Sequence, residues 1–355
     1  MKITKVKSWT EHIKLTRPYT IAFKTIDSVE NIFVRLDAEG GYFGLGVASP
    51  EVAVTGESFD DCRKALEKNL ESLLIGKDIR QTKAICRELK NKMCSTPGAM
   101  AAVDIALHDL MTKFLDMPLV DFLGRVHQSM PTSITIGIKS IEDSLEEAQE
   151  YLDRGFSVIK LKIGKSLEED LEILYKLREK VGKGITIRVD ANQGYSVENL
   201  LEFVDRIKSI DIEFIEQPLK YNNIKGMFSL PESIRKQIAA DESIHNEFDA
   251  FQLAQPPQPF GIYNIKLMKC GGVFPAMQMA EIANLAGIDL MWGCNDESIV
   301  SISAALHAAL ASPATKYLDL DGSFDLARDL VEGGFVLKDG CLSVNNIPGL
   351  GLILK

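Results

Sequence analysis

VIKLKIGKSLEEDLEILYKLREKVGKGITIRVDANQ, residues 158–193, holds the fold in miniature. A short β-rich run carrying Lys160 and Lys162 gives way to a helix-spaced segment, SLEEDLEILYKLREKV, and then to a second β-rich run ending in Asp190 and Asn192. Alternation in the outer runs, and apolar residues three and four apart between them, read as strand, helix, strand. Two parallel strands joined by a helical crossover are the unit from which parallel sheets and barrels are made.

Outward from this unit the same texture recurs. After Pro131, β-rich runs open near Ser133, Val158, Ile185, Ile212, Ile238, Ile262, Ile288 and Thr315, at a period of roughly 24 to 27 residues. Eight strands with helical crossovers predict an α/β chain with a closed (β/α)8 TIM-type barrel over residues 126–321, since the period neither drifts nor breaks. Upstream, residues 1–125 read as an α+β capping domain. It is strand-like from Ile3 to Pro50, with VENIFVRLDAEGGYFGLGVAS as a hairpin turned at Glu39-Gly40-Gly41, and helix-spaced segments follow Ser58, Gln81 and Gly98. Ser58 before Asp60 and Asp61 is a helix-start signature. Downstream, residues 322–355 are rich in Gly and Pro and are expected to pack back on the cap.

The 355 residues, 46% hydrophobic and 25% charged, have the composition of a folded globular protein. A net charge of −10 opposes a nucleic-acid partner, which would call for a basic stripe. The N-terminus, MKITKVKSWTEHIKL, alternates apolar and charged residues as a strand does, not as a secretory signal does. No apolar run is long enough to span a bilayer, so a cytoplasmic protein without a membrane partner is expected. Cys62, Cys86, Cys94, Cys270, Cys294 and Cys341 contain no CxxC pair and read as reduced, structural thiols. Gly44-Leu45-Gly46 and Gly349-Leu350-Gly351 lack the full phosphate-cradle pattern, which disfavours nucleotide binding.

Charged residues cluster where barrel strands should end. The second run carries Lys160 and Lys162, the third ends in Asp190 and Asn192, the fourth at Glu216, and the fifth at Asp241 and Glu242. The sixth places Lys266 in mid-strand, the seventh ends near Asp296 and Glu297, and the eighth ends in Asp319 and Asp321. A single strand-end charge ordinarily solvates a loop. Seven strands in succession require a ligand or a metal at one rim, because charges are not buried without partners. Asp190, Glu216 and Asp241, on three consecutive strands, would repel one another unless a divalent cation lay between them, and oxygen-only ligands favour Mg²⁺ over Zn²⁺. Lys162 and Lys266, four strands apart in a ring of eight, would flank a substrate with two bases. Lys160 and Lys162 are about 6.5 Å apart along a strand, a repulsion worth about 2.5 kcal/mol at an effective dielectric of about 20. It would lower a lysine pKa toward a useful base.

KLK at 160–162, DANQ at 190–193, EQP at 216–218, DES at 241–243 and IKLMKCGG at 265–272, with AAVDIALHDLMTKFLDMPLVDFLG at 101–124, resemble the muconate-lactonizing subgroup of the enolase superfamily almost end to end. The resemblance implies a modified enolase-type barrel and one Mg²⁺ per subunit on Asp190, Glu216 and Asp241. It further implies Lys162 and Lys266 as acid/base pair, and Lys160 as stabiliser of an enolate beside a carboxylate. Asp319-Leu320-Asp321 resembles the Asp-x-Asp with which dipeptide epimerases hold a substrate α-ammonium; two carboxylates suit an ammonium and repel a dianion. The implied reaction is 1,1-proton transfer at the Cα of the C-terminal residue of a dipeptide. Thr135 and Glu297 are expected to line the substrate pocket. The cap loops at about 20–25 and 49–57 would set specificity, with Lys24 placed to read an acidic residue as in Ala-Glu epimerases, or Glu57 adding negative charge instead. N-acylamino acid racemases, o-succinylbenzoate synthases and cycloisomerases share the catalytic set, and a catalytically silent metal-binding barrel is the alternative of another class. Homo-oligomers are common in the family, and one is expected here.

Overall fold

The computed structural model describes residues 1–21 and 24–355, and their side chains except those of 19–25 and 69. The chain opens with three antiparallel strands, β1 (Ile3–Ile21), β2 (Lys24–Ala38) and β3 (Phe43–Ala48), in that order across the sheet. The β2–β3 connection turns at Glu39–Gly41 as expected, with Gly40 and Gly41 at φ of +77° and +82°, where a side chain would be strained. A single helical turn, Val52–Thr55, and then three longer helices follow: α1 (Phe59–Leu74), α2 (Thr82–Lys92) and α3 (Pro97–Phe114). Ser58 caps α1 by accepting from the Asp61 amide. The third helix begins at Pro97, earlier than its apolar spacing suggests, because proline is well suited to a first helical turn. Alanine-rich α3 lies so close to β3 that a Cβ at Gly46 would fall 1.8 Å from the Ala102 carbonyl oxygen and one at Gly44 2.1 Å from that of Ala106. The Gly-Leu-Gly of β3 therefore serves packing.

Eight parallel strands come next: β4 (Ile134–Ile136), β5 (Val158–Lys162), β6 (Thr186–Asp190), β7 (Ile212–Glu216), β8 (Ile238–Ala240), β9 (Ile262–Ile265), β10 (Asp289–Trp292) and β11 (Thr315–Leu318). Each pairs with its neighbours in chain order. The ring is completed by a parallel bridge between Thr132 and Leu318, with the Ser133 amide donating to the Leu318 carbonyl at 3.0 Å. Inside, Phe214, Ala239, Ile262 and Met291 pack with Tyr317, and the Arg188 guanidinium lies over the Phe214 and Tyr317 rings at 5.3 and 5.1 Å. Residues two apart on a strand share a face, so Asp190, Glu216 and Asp319 stand one step nearer the C-terminal rim than Arg188, Phe214 and Tyr317.

Beyond Gly322 the chain touches both regions. The Ala327 amide donates to the Lys14 carbonyl at 2.8 Å and Leu326 bridges Leu15, while the Asp329 carboxylate accepts from the Ile299 amide of a barrel helix at 2.7 Å. All six cysteines are free thiols. Among the described residues no helix is long and apolar enough to cross a membrane.

Candidate active site

Lysines and carboxylates converge at the C-terminal rim of the barrel. Strand register sets Lys162 opposite Asp190 and Asp190 opposite Glu216, on strands about 4.8 Å apart. Asp241 follows directly on β8. Asp190, Glu216 and Asp241 are all buried, and burial first, with Asp190 next, pushes the Glu216 pKa up to about 8. The Lys160 Nζ answers this charge, 2.7 Å from Glu216 Oε2, 2.7 Å from Asp319 Oδ2 and 3.5 Å from Asp190 Oδ2. Burial disfavours its ammonium form, but Asp319, Glu216 and Asp190 outweigh that and hold its pKa well above the ordinary lysine value. Repulsion from Lys162 predicts the opposite direction; three carboxylates in contact win over one lysine further along the strand. Lys162 itself is half-buried.

Glu216 Oε2 carries a second signal. Although it lies beside the Lys160 ammonium, it is buried without a directed hydrogen bond, as is Glu242 Oε2. A buried carboxylate oxygen with spare lone pairs, in a set of three carboxylates without His or Cys, fits a hard divalent cation such as Mg²⁺.

Lys266 is not in mid-strand. β9 ends at Ile265, and Lys266 caps a one-turn helix, Leu267–Cys270, whose Lys269 and Cys270 amides donate to the Lys266 carbonyl at 3.0 and 3.2 Å. The chain can coil there because two glycines in left-handed conformations, Gly271 and Gly272, turn it away from the barrel. Lys266 Nζ still reaches the site, donating to Asp241 Oδ2 at 2.8 Å. The same turn brings in Lys269, which the strand pattern does not single out. It is buried, contacts the other Asp241 oxygen, and donates to the carbonyls of Asp241 and Asn264 at 2.6 and 3.1 Å. Burial alone would raise the Asp241 pKa, but Lys266 and Lys269 hold it well below the usual carboxylate range. Asn264, also outside the expected set, donates to Glu216 Oε1 at 2.7 Å.

Across the mouth, Asp319 Oδ1 accepts from the Ser133 hydroxyl at 2.6 Å. Arg188, wholly inside the barrel, donates to the Leu318 carbonyl at 2.7 Å and to the Ser133 hydroxyl at 3.3 Å, so it braces the strand end that carries Asp319. Asp321 Oδ2 accepts from the Thr135 amide at 2.7 Å; Thr135 thus enters the site through its backbone. Lost hydration first, and Asp319 next, push the Asp321 pKa up to about 7. Lys160 neutralises Asp319, which leaves this pair one positive charge short.

Glu297 is buried, with Oε1 accepting from the Asn295 amide at 2.8 Å, and burial pushes its pKa up to about 7. Glu57 does not supply charge to a pocket. It is 2% exposed, and its Oε1 accepts from the Gly98 amide at 2.7 Å, at the N-terminus of α3 where unpaired amides attract a carboxylate. The Lys24 side chain, the other side chains of 20–25, and residues 22 and 23 altogether lie outside the described residues.

Residues 3–124 match the mandelate racemase/muconate lactonizing enzyme N-terminal domain and residues 143–355 the enolase C-terminal domain-like family. The chain is 53% identical to an L-Lys-D/L-Arg epimerase of Desulforapulum autotrophicum over 99% of both chains. It is 30% identical to the L-Ala-D/L-Glu epimerase of Bacillus subtilis over 99% of this chain and 97% of that one. Among solved structures, a dipeptide epimerase from Methylococcus capsulatus, complexed with Mg and the dipeptide L-Arg-D-Lys, superposes with a TM-score of 0.98 at 52% identity, covering 99% of this chain and 100% of that one. With both domains matched and likeness running the whole length, the chain belongs to the mandelate racemase/muconate lactonizing enzyme family of the enolase superfamily and is an isomerase of the racemase and epimerase type.

Proposed function

We propose that this chain epimerises dipeptides with cationic side chains, moving the Cα proton of the C-terminal residue between Lys162 and Lys266. One observation carries the reading: Lys162 ends β5 and Lys266 follows β9, four strands apart in the ring, so a substrate over the mouth meets one base on each face. A proton taken from one face and returned to the other inverts that carbon. Asp190, Glu216 and Asp241 would hold Mg²⁺, which when bound supplies positive charge where the substrate carboxylate gains negative charge. Lys160 adds to that charge from its place among the carboxylates, and Asp319 with Asp321 receives the α-ammonium.

The cationic preference is supported by acidic groups around the mouth. The Ser49 hydroxyl donates to the Asp296 carbonyl at 2.9 Å, which draws the cap loop carrying exposed Glu51 against the loop carrying Asp296 and Glu297. Relatives at 52 and 53% identity are L-Lys-D/L-Arg epimerases, which moves the expected substrate from an acidic dipeptide to a basic one. We further infer a cytoplasmic homo-oligomer.

Proton NMR in D₂O with Mg²⁺ tests the reading on a panel of L-Arg-L-Lys, L-Ala-L-Glu and N-succinyl-L-Arg. Loss of the C-terminal Cα proton of L-Arg-L-Lys, with growth of its diastereomer, is the expected result. Turnover of the acylated amino acid alone would transfer the function to a racemase and leave Asp319 and Asp321 as structural groups.

A further inference from the structure

Asp104, on the cap helix α3, is wholly buried and directs its side chain into the barrel domain. Its Oδ1 accepts from the Val273 amide at 2.6 Å and the Phe274 amide at 3.3 Å, the first two of the helix Val273–Ala286. Those amides have no partner within their own helix, and a carboxylate there also meets the positive end of the helix dipole. The approach leaves no space: a Cβ at Gly272 would lie 2.5 Å from the Asp104 side chain, and one at Gly271 2.9 Å from Met100 Sδ. Back along the chain, the Gly271 and Gly272 amides donate to the Leu267 carbonyl at 2.9 and 3.0 Å, and those of Lys269 and Cys270 to the Lys266 carbonyl. A continuous run of backbone hydrogen bonds ties Lys266 to a carboxylate of the other domain.

We propose that Asp104 is a positioning residue for Lys266: by seating the Gly271-Gly272-Val273 turn on the cap, it fixes where the chain leaves β9 and therefore the aim of the Lys266 ammonium. Lys162 has no such tie, being held inside β5 by the pairing of that strand with β6. The inference rests on the reading of these two lysines as paired bases, and it gives Asp104 leverage over only one of them.

The neighbours of Asp104 support a strut and not a metal centre. Ligand atoms of Cys86, Asp104 and His108 fall within 4.8 Å of one another. Yet Asp104 Oδ1 already accepts from the Val273 amide and lies 3.2 Å from His108 Nδ1, which also donates to the Asp104 carbonyl at 2.8 Å, so that nitrogen carries a hydrogen and cannot bind a metal.

The test follows Cα proton exchange in D₂O with Mg²⁺, using L-Arg-L-Lys and L-Arg-D-Lys as separate substrates. Wild-type protein is expected to exchange both, each through a different lysine; failure with either one removes the two-base reading itself. Asp104→Asn and Asp104→Ala are expected to slow exchange of one diastereomer about 10²-fold, the effect of misplacing a reacting group by about 1 Å, and to leave the other nearly unchanged. Asp109→Asn is the control, a buried carboxylate of the same helix that instead accepts from the Leu45 and Leu350 amides, each at 2.9 Å. It is expected to affect both diastereomers alike. Gly272→Ala pushes on the same contact from the barrel side and is expected to reproduce the asymmetry even where Asp104→Ala fails to fold. Equal slowing of both diastereomers in Asp104→Asn, or an equal asymmetry in Asp109→Asn, overturns the proposal.

Discussion

The Lys160 ammonium lies 2.7 Å from Asp319 Oδ2, joining the second strand of the barrel to its last across the strand between them. Lys160 is thus shared between the carboxylates proposed to hold Mg²⁺ and the carboxylate pair proposed to receive the substrate ammonium. Lys160→Met leaves Glu216 and Asp319 buried without their main cation. We expect kcat for L-Arg-L-Lys to fall by about 10²-fold or more; steady-state polarimetry within threefold of wild type would contradict this role.

Lys162 and Lys266, as the proposed bases, predict opposite half-reactions. Lys162→Ala and Lys266→Ala should each abolish epimerisation, yet each should retain solvent exchange with one diastereomer, and not the same one. Mass spectrometry of both diastereomers after incubation in D₂O decides it, and exchange of the same diastereomer by both variants would rule it out.

Asp321, with its pKa pushed up to about 7, would have to be ionised to attract the substrate ammonium in its proposed role. KM for a free-amine dipeptide should therefore fall as pH rises through about 7, until the peptide amine itself deprotonates near about 8. Asp321→Asn should raise KM more than it lowers kcat and flatten that fall. A KM profile unchanged by the substitution would show that the carboxyl does not meet the amine.

Glu57 predicts a stability change unconnected with catalysis. Burial pushes its pKa up to about 7, against about 4.5 when unfolded. Between those values the folded protein binds more protons, so this contribution is fully present below pH 4.5 and is lost as pH rises through about 7. The whole span is worth about 3 to 4 kcal/mol at most. Glu57→Gln keeps an oxygen for the Gly98 amide and cannot ionise, so its Tm relative to wild type should rise from pH 5 to pH 8. Parallel Tm curves would refute it.

Metal removal should act on stability as well as rate. Chelation with EDTA is expected to abolish exchange and lower Tm, both restored by Mg²⁺, since a ligand that binds only the folded state stabilises it. In Glu216→Gln, Mg²⁺ should no longer raise Tm; a shift as large as that of wild type would remove Glu216 from the metal set.

The barrel was legible because its period is local: strand starts expected at Val158, Ile212, Ile238, Ile262 and Thr315 are where strands begin, and those expected at Ser133, Ile185 and Ile288 begin one residue later. Asp190, Glu216, Asp241, Asp319 and Asp321 stand out because charge at a strand end breaks an apolar pattern. Lys266 was misplaced by the same rule, since alternation continues smoothly past Ile265 while the glycines that end the strand lie five and six residues beyond Lys266. The spacing of Lys266 and Lys269 is that of one helical turn, the signal that could have found Lys269. Ser133 and Arg188 act through partners far along the chain, and Glu57 reads as pocket charge because the helix it caps starts far beyond it. These are products of packing, which no local pattern records.

The ring shuts only when Leu318 meets Thr132, and the first strand of the cap is edged at Leu15 by Leu326. A ribosome must therefore deliver the chain as far as Leu318 and Leu326 before either domain acquires its last neighbour. Lys160 leaves the exit tunnel well before its partner Asp319, so a nascent chain cannot hold a finished active site. Premature termination anywhere before the eighth strand yields an open sheet with unpaired edges, a substrate for quality control and not a slower enzyme.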